Sequence, residues 1–114
     1  MAANDLQHFR SLAVSTTAVA IKATPGNILG FSIINIHSAV IFVKFYNKAA
    51  AGVNAASDVP VFTVAIKAND SIFQAPIASL RRFSTAISVR VTTVAANADA
   101  TAAGALPLME VSYL

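Results

Sequence analysis

Apolar and polar residues alternate with a period of two along much of this chain, the mark of strands that bury one face. The cleanest window runs from Phe83 to Thr92. There Phe83, Thr85, Ile87, Val89 and Val91 point one way, and Ser84, Ala86, Ser88, Arg90 and Thr92 the other. A helical period over the same window sets Arg90 and Val91 on one apolar stripe, so a strand is predicted. Leu12 to Lys22 alternates more loosely and is rich in Val, Thr and Ile. Asn27 to His37 and Ala39 to Tyr46 are almost continuously apolar, with β-branched and aromatic residues, as in central strands covered on both faces. Pro60 to Lys67, Ser71 to Gln74 and Leu108 to Leu114 complete the predicted strands.

The segments between them carry turn chemistry. Thr24-Pro25-Gly26-Asn27 predicts a type II turn, with Pro25 fixing φ and Gly26 supplying a positive φ. Asn69-Asp70 predicts a hairpin turn, and His37-Ser38 a tight break or bulge. Asn47 to Asp58 and Ala95 to Ala105 are rich in Ala, Asn and Gly and have no apolar stripe to dock. They are expected to be surface loops, with room for a helical turn in either. The first ten residues show no strand pattern. The chain is therefore expected to be all-β, a single sandwich of jelly-roll or Ig-like type with about seven or eight short antiparallel strands. An N-terminal arm would occupy residues 1–11 and the sandwich residues 12–114.

Composition adds a second expectation. Of 114 residues, 56% are hydrophobic and only 11% are charged. A solitary soluble domain carries about 25% charged residues, so much of this surface is expected to be buried against partners. The longest apolar stretches, Ile28 to Ile36 and Ala39 to Val43, fall short of the ~20 residues a membrane helix needs. The chain is also too short in strand segments for a membrane barrel, and no secretory signal opens it, so no membrane partner is expected. The net charge is +3, but Lys22, Lys44, Lys48, Lys67, Arg10 and Arg90 are scattered and only Arg81 and Arg82 adjoin. Nucleic-acid binding requires clustering, so none is expected.

Candidate chemistry is sparse. There is no cysteine, which removes disulfides, thiolate catalysis and Cys-based metal sites. His8 and His37 stand outside any ligand-spaced motif. Asp5, Asp58, Asp70 and Asp99 fall in the terminus, loops or turns, where Asp is common on conformational grounds. Glu110, in the last strand, is expected to face solvent or a cation. No nucleophile elbow or phosphate-cradling glycine loop is present, and Asn69-Asp70-Ser71 matches the glycosylation pattern by chance. No catalytic residue, metal site or cofactor is expected, and the chain is not expected to be an enzyme. The aromatic residues, Phe73 among them, read as core filling; Phe9 and Tyr113, near the termini, read as contacts for a partner.

Several segments carry a resemblance. They are Ile21-Lys22-Ala23-Thr24-Pro25-Gly26, Leu29-Gly30-Phe31-Ser32-Ile33-Ile34-Asn35, Ala39 through Val43-Lys44-Phe45-Tyr46-Asn47-Lys48-Ala49, Asp58-Val59-Pro60-Val61-Phe62-Thr63-Val64, and Arg82-Phe83-Ser84-Thr85 through Val89. Their order is similar to that in small β-sandwich structural proteins of tailed bacteriophages, from about Val19 onward. Ala86 stands where a Gly often follows the Arg-Phe-Ser-Thr piece. The resemblance implies a virion component made in the host cytoplasm. The favoured station is the capsid surface, as a homotrimeric decoration (cement) protein bound to the major capsid protein and stabilising the assembled head. A tail, neck or baseplate subunit is the first alternative, and a carbohydrate-binding or host-recognition module the second. The expected partner interface comprises Leu6, Phe9, Arg10, Val53, Asn54, Arg81, Arg82 and Tyr113.

Overall fold

The computed structural model describes residues 6–77, 79–96 and 102–114. Among them lie nine strands: β1 (Gln7–Ser11), β2 (Val19–Lys22), β3 (Gly26–Ile34), β4 (Ile41–Tyr46), β5 (Phe62–Ile66), β6 (Ser71–Gln74), β7 (Arg81–Phe83), β8 (Ile87–Thr92) and β9 (Leu108–Tyr113). One sheet runs β1-β9-β3-β6, with β7 also paired to β3. The other runs β2-β8-β4-β5. All pairings are antiparallel. We call these the first and second sheets.

The chain crosses from one sheet to the other at nearly every connection, and its first and last described strands, β1 and β9, pair. That winding is a jelly roll, with the split pair β6 and β7 sharing the place beside β3, and not the Ig-like order. The core lies between the sheets. Ile28, Phe31, Ile33, Met109 and Val111 come from the first sheet, and Ile41, Val43, Phe45, Ile87, Val89 and Val91 from the second.

The alternation from Phe83 to Val91 predicts this core, but not as one strand. Phe83 ends β7 in the first sheet, the chain crosses over Ser84–Ala86, and β8 continues in the second sheet with the same residues facing inward. Keeping the phase across the bend lets one apolar series serve both sheets.

Four expectations need correction. Residues 7–11, assigned to an arm, form the edge strand β1 in register with β9, so that Phe9 faces Val111; residues 1–5 lie outside the described residues. The strand expected over Leu12 to Lys22 is confined to Val19–Lys22. Before it, Val14 is fully buried and Ser15 accepts a backbone hydrogen bond from Val91. The Asn69-Asp70 turn is present, with Asn69 at φ 54°, but it joins strands of opposite sheets and is no hairpin. Finally, no described glycine has positive φ. Gly26 opens β3, where any Cβ would run into the Leu114 carbonyl oxygen. Its small size is used for close approach and not for a type II turn.

Gly30 has a similar role. The β3–β9 register shifts between Ile28 and Gly30. The chain leaving β6 crosses over this point, and a Cβ on Gly30 would lie 2.5 Å from the Gln74 carbonyl oxygen. Leu29 and Ile28 carbonyls then accept from Ile77 and Leu80. Asn35, 1% exposed, fastens the turn after β3. Its Nδ2 donates to the carbonyls of Ala39, Ile66 and Lys67, and its Oδ1 accepts from the His37 amide.

Candidate functional site

The outward faces of the two sheets differ in what covers them. On the second sheet, register sets Lys44 opposite Arg90, Tyr46 opposite Ser88, and Phe42 opposite Thr92. All but Phe42 are buried, with Lys44 at 0% and Arg90 at 1% exposure. They are covered by the connections after β4 and after β8. Each outward polar group reaches the main chain or a neighbour: Lys44 Nζ donates to the Ala96 carbonyl, Thr92 Oγ1 to that of Val94, and Ser88 Oγ to that of Lys48. Arg90 Nε donates to the Tyr46 hydroxyl at 2.8 Å, and its guanidinium carbon lies 5.8 Å from the Tyr46 ring centroid. These bonds offset the cost of taking charged and polar groups out of water.

The connection after β4 is tied from below and within. Asn47 Oδ1 accepts from the Thr85 amide, and its Nδ2 donates to Ser84 Oγ. A 3-10 turn follows at Ala50–Gly52. Asp58 then closes the segment, accepting from the Asn54 amide at 2.7 Å and from Lys48 Nζ at 3.0 Å. The Asn54 backbone bond first, and the Lys48 side chain second, hold the Asp58 carboxyl below its ordinary value. Between this segment and Thr16–Ala18 lies an open recess of about 570 Å³ with Arg90 in its lining. For the connection after β8, residues 97–101, and with them the candidate carboxylate Asp99, lie outside the described residues. Asp5 lies outside them as well.

Among the described residues, the outer side of the first sheet is open over much of its extent, away from the crossing at Gly30. Register aligns Arg10, Glu110, Ser32 and Phe73 across four strands. Arg10 and Glu110 approach to 4.0 Å with both side chains largely exposed, a pairing worth little to stability. Phe73, read from the sequence as core, is 71% exposed. Ile34 and Leu108 are opposed on the same face, and Phe73 is diagonal to Ile34. Ile36 and Leu12, in the connections that follow β3 and β1, are also exposed, at 58% and 66%.

The residues expected to form one interface do not gather in one place. Leu6, Phe9 and Arg10 lie at the β1 edge; Arg81 and Arg82 open β7, on the far side of β9 and β3. Val53 and Asn54 lie in the segment over the second sheet, Val53 lining the recess beside Arg90. Phe9 and Tyr113 are half-buried and pack on the core from β1 and β9. Arg10 alone of the eight stands in the row with Phe73. The exposed residues Phe73, Ile36 and Leu12 were absent from that set. The signal that could have flagged Phe73 is its place in a four-residue strand, where Ile72 and Phe73 must face opposite ways.

Among the described residues, no three His, Asp or Glu side chains come together as a metal site, and no helix is long and apolar enough to cross a membrane. No protein-family model, curated protein or solved structure matches this chain.

Proposed function

We propose that this domain is a structural subunit of a tailed-phage particle, and specifically a decoration protein that binds the assembled head through the outer face of its first sheet. The observation that carries this reading is the asymmetry of the two faces. One is covered by its own loops; the other leaves Phe73 and Ile34 to solvent, and Ile36 and Leu12 are exposed in the connections after β3 and β1, in a chain with few charges to keep such residues soluble. An extended, shallow face with a polar row beside an apolar one suits a large flat partner, and burying it across neighbouring capsid subunits would favour the finished lattice over free subunits. Repetition around a homotrimer would add avidity without stronger individual contacts. The motif resemblance to phage β-sandwich proteins supports the same setting. Jelly rolls also serve in capsids and lectins, so the fold by itself decides nothing.

The test is to purify particles and measure copy number by quantitative mass spectrometry, with microscopy locating the chain. Hundreds of copies on the head are expected. A handful at one vertex or on the tail would reassign the domain to a neck, tail or baseplate part, and absence from particles would overturn the structural role. Phe73→Ser should lower incorporation at least ten-fold while the purified domain stays folded. Light scattering checks the trimer, for which a monomer at high concentration would be the adverse result.

A further inference from the structure

The sandwich is closed on one side and open on the other. Beside β1 and β2, the connection carrying Val14 fills the gap between sheets. Beside β5 and β6, among the described residues, nothing comparable lies across it, and a groove of about 400 Å³ runs between the two strands. Phe31, Phe62, Val64, Ile72 and Leu80 line it. Its floor continues into the core: Phe62 stacks on Phe45 at 4.6 Å between centroids and lies 6.4 Å from Phe83. Phe62, Val64, Ile72 and Leu80 are only half-buried. In a closed sandwich, such residues would be covered.

Two further features say what would cover them. Both flanking strands are sheet edges, since β5 pairs only with β4 and β6 only with β3. An edge offers backbone donors and acceptors to an added strand, and the groove offers sites for alternate side chains of that strand. Arg81 also lines the groove, with its guanidinium carbon 5.4 Å from the Phe62 ring centroid. Arg82 follows it, and both are exposed. No acidic side chain lines the groove, and among the described residues Arg81 faces no carboxylate, whereas Arg10 and Lys48 each have one. Charge complementarity therefore favours an acidic occupant.

We propose that this groove is a docking cleft for an extended segment of a partner protein, one that adds a strand along the β5 or β6 edge. The segment carries apolar side chains at alternate positions and an Asp or Glu that meets Arg81. The inference does not depend on the particle in which the domain works, or on the outer face of the first sheet.

A display library of random heptapeptides, selected on the full chain, tests it. The expected consensus alternates apolar residues and contains an acid. A synthetic peptide of that consensus should shift amide resonances of Phe62–Ile66, Ser71–Gln74 and Arg81. Changing its acid to Lys should weaken binding at least ten-fold, and Arg81→Gln should erase that preference, while Arg10→Gln on the opposite edge leaves binding unchanged. Failure to enrich any consensus, a consensus without an acid, or shifts confined to the outer face of the first sheet would each overturn the proposal. So would concentration-dependent self-association mapped to the groove, which would make the occupant a second copy of this chain.

Discussion

Along β8 all six residues from Ile87 to Thr92 are buried, whereas along β9 the buried Met109 and Val111 alternate with half-buried or exposed neighbours. Both strands lie inside their sheets and both turn one set of side chains to the core. What differs is the other side. Beside β8 lie the segment after β4 and the residues just after β8, whose main-chain carbonyls at Lys48, Val94 and Ala96 accept from Ser88, Thr92 and Lys44. Among the described residues, β9 has β1 and β3 beside it and no segment above it comparable to those over β8. A polar outer row can thus be buried and structural, as on β8, while a large apolar side chain such as Phe73 stands in solvent on the other sheet. Polarity alone does not say which face is the surface.

The sharpest way to break this comparison is to attack the covered face. Arg90→Ala would remove a side chain that is 1% exposed and take away the donor to the Tyr46 hydroxyl, leaving both a cavity and a poorly satisfied buried group. The expected cost is about 3 kcal/mol, read as a lower urea midpoint at unchanged m-value. A loss under about 1 kcal/mol would mean that the outer side of β8 behaves as ordinary surface, since surface changes stay within ~0.5 kcal/mol.

The particular residues show what was legible in the sequence and what was not. Period-two alternation located the inward series Phe83, Ile87, Val89 and Val91, because burial by the opposite sheet imposes it directly. The bounds of β6 were equally plain, set by Asp70 before it and Pro76 soon after. β1 was not legible. Gln7–Ser11 holds one apolar residue, Phe9, and owes its strand to backbone pairing with β9, a contact about a hundred positions distant in sequence. Nor was the burial of Arg90 and Lys44. Alternation assigns a side chain to a face but does not report whether a distant connection folds over that face. Gly26 misled for a related reason: Pro-Gly names a turn locally, yet its conformation was decided by the return of Leu114 alongside. The groove and the exposure of Phe73 depend on which strands end up at edges, and that is a property of topology.

A second prediction concerns how the cover is held. Because the Asn54 amide and Lys48 favour the ionised form of Asp58, its folded pKa is depressed below the ordinary value of 3.8. The carboxylate's contribution is therefore fully present above that value and is lost as the pH falls through the lower, folded pKa. Acidification below 3.8 should release the Asn54 amide and loosen the segment from Asn54 to Asp58, seen as faster amide exchange there, while the amides of β8 stay protected. Asp58→Asn should show the loosened segment already at neutral pH and no acid step. If β8 lost protection in parallel, the segment and the sheet would be one cooperative unit and the cover could not be regarded as separately fastened.

The smallest expected effect belongs to the open face. Phe73 is 71% exposed, pairs by register with Ser32 at a sheet edge, and has solvent where a core residue has neighbours. Phe73→Ser should change the stability of the isolated domain by no more than about 0.5 kcal/mol, with Ser's lower strand preference as the main penalty. The same substitution should raise solubility by removing a large exposed apolar side chain diagonal to Ile34. Measured beside Arg90→Ala in one urea series, the pair inverts the usual expectation that removing a phenylalanine costs more than removing an arginine. Equal losses for the two variants would mean that Phe73 is covered in solution by another copy of the chain, and dilution would then bring its cost down toward zero.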